Sequence, residues 1–229
     1  MGTTSDHDRR IAEMFDRVSP RYDLLNRVLS FGTDISWRRR AIALARLGPG
    51  GRAVDVGAGT GDLTFALERA SEPGSVVIAA DLSKGMLDVA RRRGQVRAII
   101  ANAESLPFAD ASLERLITGF TVRNVGDLAR ALREFRRVLR PGGRAVILEL
   151  SHPRGPVFPS LYRLYFEQIA PRIAVLFGGD AEAYRYLPRS LRAFPGAEDL
   201  AGLLRDAGFR EVRFERLTLG IAAIHIGEV

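Results

Sequence analysis

Val54-Asp55-Val56-Gly57-Ala58-Gly59-Thr60-Gly61-Asp62 is the stretch that decides the fold. It ends the apolar run RAVDV and opens a helical segment through Leu63 to Ala70. Its glycines let the backbone take conformations closed to residues with a Cβ and come close to a ligand. The end of a strand that feeds a helix is where open α/β sheets bind ligands. A dinucleotide loop competes with this, but that fingerprint is G-x-G-x-x-G, with its third glycine where Asp62 stands. Gly61 comes one position early, and a carboxylate at the helix start repels the pyrophosphate that a helix N-terminus attracts. A ligand without phosphates fits better.

Working outward, strand-like and helix-like segments alternate. RAVDV and its helix are followed by SVVIAAD, a helix through Met86 to Arg93, VRAII, LERLITG, a helix from about Asp127 to Leu139, and RAVILEL. This is a succession of βαβ units. VVIAA and AVILEL are nearly continuous apolar runs, as a parallel sheet covered on both faces requires. Before them, residues 1–48 read as a helical cap: Ile11, Met14, Phe15 and Val18 recur at helical spacing, Ser19-Pro20 interrupts, and Leu24, Leu25, Val28 and Leu29 resume. After the core at 49–150, residues 151–195 read as a helical insertion, with 156–177 aromatic-rich and 182–194 a further helix or turn. Residues 196–229 then give a last helix over 198–207 and two strands joined near Thr218 to Gly220. The sum is one doubly wound α/β domain with a mostly parallel sheet of about seven strands, ending in an antiparallel hairpin.

Two further elements sit at strand ends. Asp81 closes VVIAAD, where a carboxylate can accept hydrogen bonds from the two hydroxyls of a ribose, or simply cap the next helix as Ser83 also can. Ala101-Asn102-Ala103-Glu104 follows the third strand, where Asn102 and nearby backbone can meet an adenine edge. Loop, acid and Asn-Ala-Glu occur in order at three successive strand ends, which fits S-adenosylmethionine and the class I methyltransferase sheet. The expected cofactor contacts are Asp55, Gly57, Gly59, Thr60, Gly61, Asp81, Leu82, Asn102, Ala103 and Gly119.

The 229 residues, 46% hydrophobic, suffice for one substantial core. There is no cysteine, which excludes disulfides, zinc–thiolate sites and a thiol nucleophile, and no metal site is expected. The polar start, MGTTSDHDRR, lacks a signal-like apolar region, and no stretch approaches the ~18 uninterrupted apolar residues of a membrane span. A soluble cytoplasmic protein is expected. The net charge of +7 rests on arginine, Lys84 being the only lysine. Its two dense clusters, Arg38-Arg39-Arg40 and Arg91-Arg92-Arg93, are expected to be solvated helix faces.

The sequence also resembles the C-methyltransferases of quinone biosynthesis, which act on demethylmenaquinone or the corresponding ubiquinone precursor. The resemblance spans residues 15 to 229. It rests on Tyr22-Asp23-Leu24-Leu25-Asn26 with Ser30-Phe31-Gly32 and Trp37, on Phe120-Thr121-Val122-Arg123-Asn124-Val125, on Arg137-Val138-Leu139-Arg140-Pro141-Gly142-Gly143, whose Arg-Pro-Gly-Gly part is common to many methyltransferases, on Gly179-Asp180-Ala181-Glu182-Ala183-Tyr184-Arg185-Tyr186-Leu187, and on Gly220-Ile221-Ala222-Ala223-Ile224-His225. The chain departs from the family's usual residues at Asp34, where His is usual, at Gly119, where Ser is, and at His152, where Lys is common. The resemblance therefore assigns no role to those three.

It implies methylation of a quinol ring carbon, demethylmenaquinol first and the benzoquinol precursor of ubiquinone as the alternative. Such a carbon gains electron density as the neighbouring hydroxyl loses its proton, so the site needs a proton acceptor and a group that stabilises the phenolate. The implied catalytic residues are Arg123, Asn124, Tyr22 and Asp23. Arg123 would stabilise the phenolate, a water held by Arg123 and Asn124 would remove the proton, and Tyr22 or Asp23 would orient the ring. Arg123 and Asn124 read equally well as loop-fixing residues. His152, after the fifth strand, is a second candidate base because imidazole titrates near neutral pH.

The aromatic segment from Val157 to Phe177 reads as core, or as a lid, tail channel or membrane contact for a polyprenylated quinol. Transient contact with the inner membrane face is compatible with that substrate, and a homodimer stays open. A small soluble substrate, RNA, and a binding protein without turnover are the rivals; no appended basic or aromatic module supports nucleic acid.

Overall fold

The computed structural model describes residues 5–153, 162, 164–170, 172–173 and 181–229. Among them the helices α1 (Asp6–Val18), α2 (Tyr22–Leu29) and α3 (Thr33–Ala45) come first. The core follows as β1 (Arg52–Val56), α4 (Asp62–Ala70), β2 (Val76–Asp81), α5 (Lys84–Arg93), β3 (Arg97–Ile100), β4 (Leu113–Gly119), α6 (Leu128–Val138) and β5 (Leu139–Leu150). After a π-helical turn at Tyr165–Ile169 come α7 (Ala181–Ala193), α8 (Ala197–Asp206), β6 (Arg210–Leu217) and β7 (Ala222–Glu228). The expected insertion at 156–177 lies largely outside the described residues.

The seven strands run β3-β2-β1-β4-β5-β7-β6, all parallel up to β5, with β7 antiparallel to both its neighbours. The order reverses between β1 and β4, so the crevice at their carboxyl ends is the switch point of the sheet. Period-two alternation divides the strand residues between two buried layers. Ala53, Ile117, Val146 and Ile224 pack toward Trp37, Ala41, Leu63 and Leu67, while Val54, Leu116, Ala145 and Ile147 pack toward Leu132, Phe135, Leu200 and Leu204. Because both faces are covered, neither set can be polar. Helix α6 shows the matching pattern: Ala131, Leu132, Phe135 and Val138 are buried at helical spacing, and Asp127 caps the helix by accepting from the Arg130 amide at 2.9 Å.

Strand β5 begins five residues before the expected RAVILEL. The Arg140-Pro141-Gly142-Gly143 segment is drawn into the sheet by the chain end: the Gly142 amide donates to Val229 O at 2.8 Å and the Val229 amide to Gly143 O at 3.0 Å. That pairing is between residues far apart in sequence.

Candidate active site

The glycine loop leaves β1 at the switch point. Gly57 and Gly59 both hold positive φ, at 68° and 56°. A Cβ on Gly57 would stand 2.2 Å from the Thr121 side chain, so the loop packs against the end of β4 only as glycine. A Cβ on Gly59 would meet nothing within 4 Å, because it would point into an open cleft of about 800 Å³.

Gly57, Gly59, Thr60, Asp81, Leu82, Asn102, Ala103, Gly119, Asn124, Tyr22 and Asp23 all line that cleft. Asp81 braces it from β2, accepting from the Gly59 amide through Oδ2 at 2.7 Å and from the Ser83 amide through Oδ1 at 2.8 Å. Burial raises its pKa. Asn102 is held on both sides: its Nδ2 donates to Asp8 Oδ2 at 2.9 Å, and its Oδ1 accepts from the Glu104 amide at 2.8 Å. Asn124 brings to the cleft a buried Oδ1 without a hydrogen-bond partner, an acceptor that suits a donor group on a bound ligand. Two expected loop residues are placed differently. Gly61 is not among the lining residues and forms the left-handed entry to α4. Asp55 lies beneath the loop, fully buried, accepting from Thr64 Oγ1 at 2.6 Å, with burial pushing its pKa up to about 7.

A second cavity of about 1080 Å³ adjoins the first. Its wall is apolar and aromatic, with Leu29, Phe31, Trp37, Leu150, Leu187 and Ile221 among its residues. Tyr22, Arg38 and Phe120 line both cavities and mark where they meet. Phe120 holds a φ of 60°, its ring centroid 6.3 Å from that of Trp37 and 5.1 Å from Arg38 Cζ, which lies over it. A cleft with many polar groups and a more strongly apolar cavity that share these three lining residues can bring two chemically different reactants face to face.

Arg123 and Asn124 separate across that boundary. Asn124 faces the cleft, whereas Arg123 faces the apolar cavity and is no isolated cation: its Nη1 donates to Glu149 Oε1 at 2.6 Å. Burial opposes the Arg123 cation, yet the adjacent Glu149 charge holds its pKa above the ordinary arginine value. The two residues thus face different compartments, which does not suit one water shared between them. Asp23 likewise turns from the ring it was expected to orient toward the glycine loop, accepting from Thr60 Oγ1 at 2.7 Å and from Arg93 Nη1 at 3.0 Å. His152 lines neither cavity; its Nε2 hydrogen-bonds Phe194 O at 3.0 Å.

The family model described as the ubiE/COQ5 methyltransferase family matches residues 3–228. The chain belongs to this family. A Thermus thermophilus protein named demethylmenaquinone methyltransferase is 46% identical over 220 residues, 94% of this chain and 99% of that one. A ubiquinone/menaquinone biosynthesis C-methyltransferase of Geobacter sulfurreducens is 41% identical over 231 residues, 98% of this chain and 90% of its own. Among solved structures, a SAM-dependent methyltransferase of Thermotoga maritima is similar with a TM-score of 0.70 at 23% identity, over 95% of this chain and 98% of that one. That last likeness is one of fold.

In this member of the ubiE/COQ5 family the structure adds residues that sequence patterns did not single out. Glu149 is 1% exposed and also accepts from the Leu150 amide at 2.8 Å. A carboxylate inside the apolar run AVILEL was the signal for it. The arginine triplets are not simply solvated: Arg38 reaches both cavities, and Arg93 ties Asp23, Thr60 and Asp62 together at 2.6 to 3.0 Å. Helix α1 closes the cleft through Asp8 and Phe15, and its Asp16 accepts from Ser83 Oγ and the Gly85 amide.

Proposed function

We propose that the protein methylates a ring carbon of a polyprenylated quinol, demethylmenaquinol in preference to the benzoquinol precursor of ubiquinone, using S-adenosylmethionine. The observation that carries this is the pair of cavities, one of mixed character built on the glycine loop and one more strongly apolar, meeting at Tyr22, Arg38 and Phe120 in a member of this family. Relatives from Thermus and Deinococcus named demethylmenaquinone methyltransferase support the naphthoquinol branch.

S-adenosylmethionine supplies a methyl group carried on a positively charged sulfur. Asp81, which accepts from the Gly59 and Ser83 amides, is the acceptor we assign to the ribose, and Asn124 offers its unpartnered Oδ1 to a donor in the same cleft. With S-adenosylmethionine in the cleft and the quinol ring in the apolar cavity, the shared boundary would bring the acceptor carbon to the methyl group, the positioning that converts two bound reactants into a near-attack pair. Arg123 faces the apolar cavity and stabilises negative charge that develops on the ring oxygen, while Glu149 fixes the orientation of the guanidinium. The ring must be reduced, because only the quinol can reach the electron-rich phenolate.

The apolar cavity extends to Phe31, 77% exposed with a φ of 51°, and this is the direction we assign to the prenyl tail and to contact with a membrane surface. Among the described residues no helix is long and apolar enough to cross a membrane. Purified protein incubated with methyl-labelled S-adenosylmethionine and a panel of reduced and oxidised quinones tests the proposal. Label should enter naphthoquinols that lack the ring methyl and no oxidised quinone; absence of label from every quinol overturns it.

A further inference from the structure

We propose that Asp34 is the catalytic residue that takes the proton of the quinol hydroxyl: its buried carboxylate is the only one among the described residues lining the apolar cavity, and it stands beside Arg38, which lines both cavities. The proposal rests on the function given above and supplies the base it lacks.

Asp34 lies in the first turn of α3, 4% exposed. Ser30 Oγ donates to its Oδ1 at 2.8 Å, and Arg38 Nε stands 3.5 Å from its Oδ2. A carboxylate oxygen can accept more than one hydrogen bond, so a substrate hydroxyl in the cavity finds an acceptor there. Arg38 in turn lies over the Phe120 ring, at the boundary where the ring carbon meets the methyl donor.

The other titratable and charged groups of this cavity are poor acceptors. Arg123 is a cation paired with Glu149. Burial raises the pKa of Tyr162 and Tyr165, which keeps both protonated. Tyr22 brings to the cavity wall a phenolic hydroxyl, which is itself a hydrogen-bond donor. Glu149 does not line the cavity, and its oxygens are taken up by Arg123 and the Leu150 amide. No histidine reaches it: His7 and His152 hydrogen-bond the backbone carbonyls of Asn124 and Phe194, and His225 is buried in β7.

In the step, the hydroxyl proton passes to the Asp34 carboxylate and the O–H electron pair becomes the π bond of a ring carbonyl. The adjacent ring carbon forms the bond to the methyl group as the methyl–sulfur bond breaks, its electron pair remaining on the sulfur of S-adenosylhomocysteine. Loss of the proton on the methylated carbon to water, with return of the Asp34 proton to the ring oxygen, restores the aromatic quinol.

The test is Asp34→Asn in the full chain, assayed with S-adenosylmethionine and a short-tailed demethylmenaquinol kept reduced. The expected kcat falls by about 10²- to 10⁴-fold, the usual contribution of one general base. Affinity for S-adenosylhomocysteine by calorimetry should stay within about twofold, and activity should climb with pH as the quinol ionises unaided. Asp34→His should retain turnover but lose it below about pH 6.5, where imidazole protonates; this variant decides if Asp34→Asn no longer folds. A kcat for Asp34→Asn within threefold of wild type, or an Asp34→His pH profile superimposable on wild type, overturns the role of Asp34 alone. A wild-type protein that methylates no quinol overturns the functional reading with it.

Discussion

Replacing Glu149 with Gln perturbs the Arg123–Glu149 pair while nearly preserving its shape. The two side chains are 8% and 1% exposed and their closest atoms are 2.6 Å apart, so the pair is buried and its geometry direct. Removing one partner of such a pair costs about 3–5 kcal/mol, because the surviving charge is left desolvated without compensation. Gln keeps an oxygen to accept from Arg123 or from the Leu150 amide, which puts the expected loss at the low end, about 3 kcal/mol. For a chain of this length that lowers Tm by about 6–12 °C. Urea denaturation and thermal melting of Glu149→Gln provide the measurement. Arg123→Met combined with Glu149→Leu is the control: an apolar pair of similar volume should restore stability to within about 1 kcal/mol of wild type. It should still lose about 10²- to 10³-fold in kcat, the contribution of one preorganised electrostatic donor. Wild-type stability in Glu149→Gln would refute the claim that Glu149 balances a buried Arg123. Full activity in the paired variant would refute the role of the Arg123 charge.

Asp81→Ala should weaken S-adenosylhomocysteine binding by about 1.5–3 kcal/mol in calorimetry, the range for lost charged hydrogen bonds. Because Asp81 also accepts from the Gly59 and Ser83 amides, part of that loss will come from a loosened loop; an unchanged dissociation constant would remove Asp81 from the site. His225, whose Nε2 hydrogen-bonds Ala197 O at 2.8 Å, is pushed down to about 4 by burial. Its folded pKa therefore lies below the unfolded one, near 6.5, so its contribution to stability is complete above about pH 6.5 and is lost as pH falls toward 4. Between pH 6.5 and 5 wild type should lose about 2 kcal/mol from this residue, and His225→Phe should show a correspondingly shallower pH dependence in urea denaturation; equal slopes would rule the assignment out.

Most of the architecture was legible in the sequence because it follows from local periodicity. The doubly buried strands had to read as continuous apolar runs, α6 had to place its apolar residues at helical spacing, and the turn after β1 needed glycines at the positive φ of 57 and 59. The same signals located the cleft, since a switch point follows from strand order. What the sequence could not convey was which charges meet. Arg123 and Glu149 are 26 residues apart, Asp23 and Arg93 are 70, and Asp8 and Asn102 are 94, and no periodicity relates such partners. The arginine triplets show the consequence: by local pattern they are solvated helix faces, yet Arg38 sits at the boundary between two cavities and Arg93 braces the glycine loop. Likewise Arg123 and Asn124, adjacent in sequence, face different compartments because the 3₁₀ turn Val122–Asn124 points successive side chains in different directions. Local chemistry determined the sheet and the cofactor loop; burial and long-range pairing, which only the folded chain brings about, decided which arginine each buried carboxylate meets and which carboxylate lines the apolar cavity.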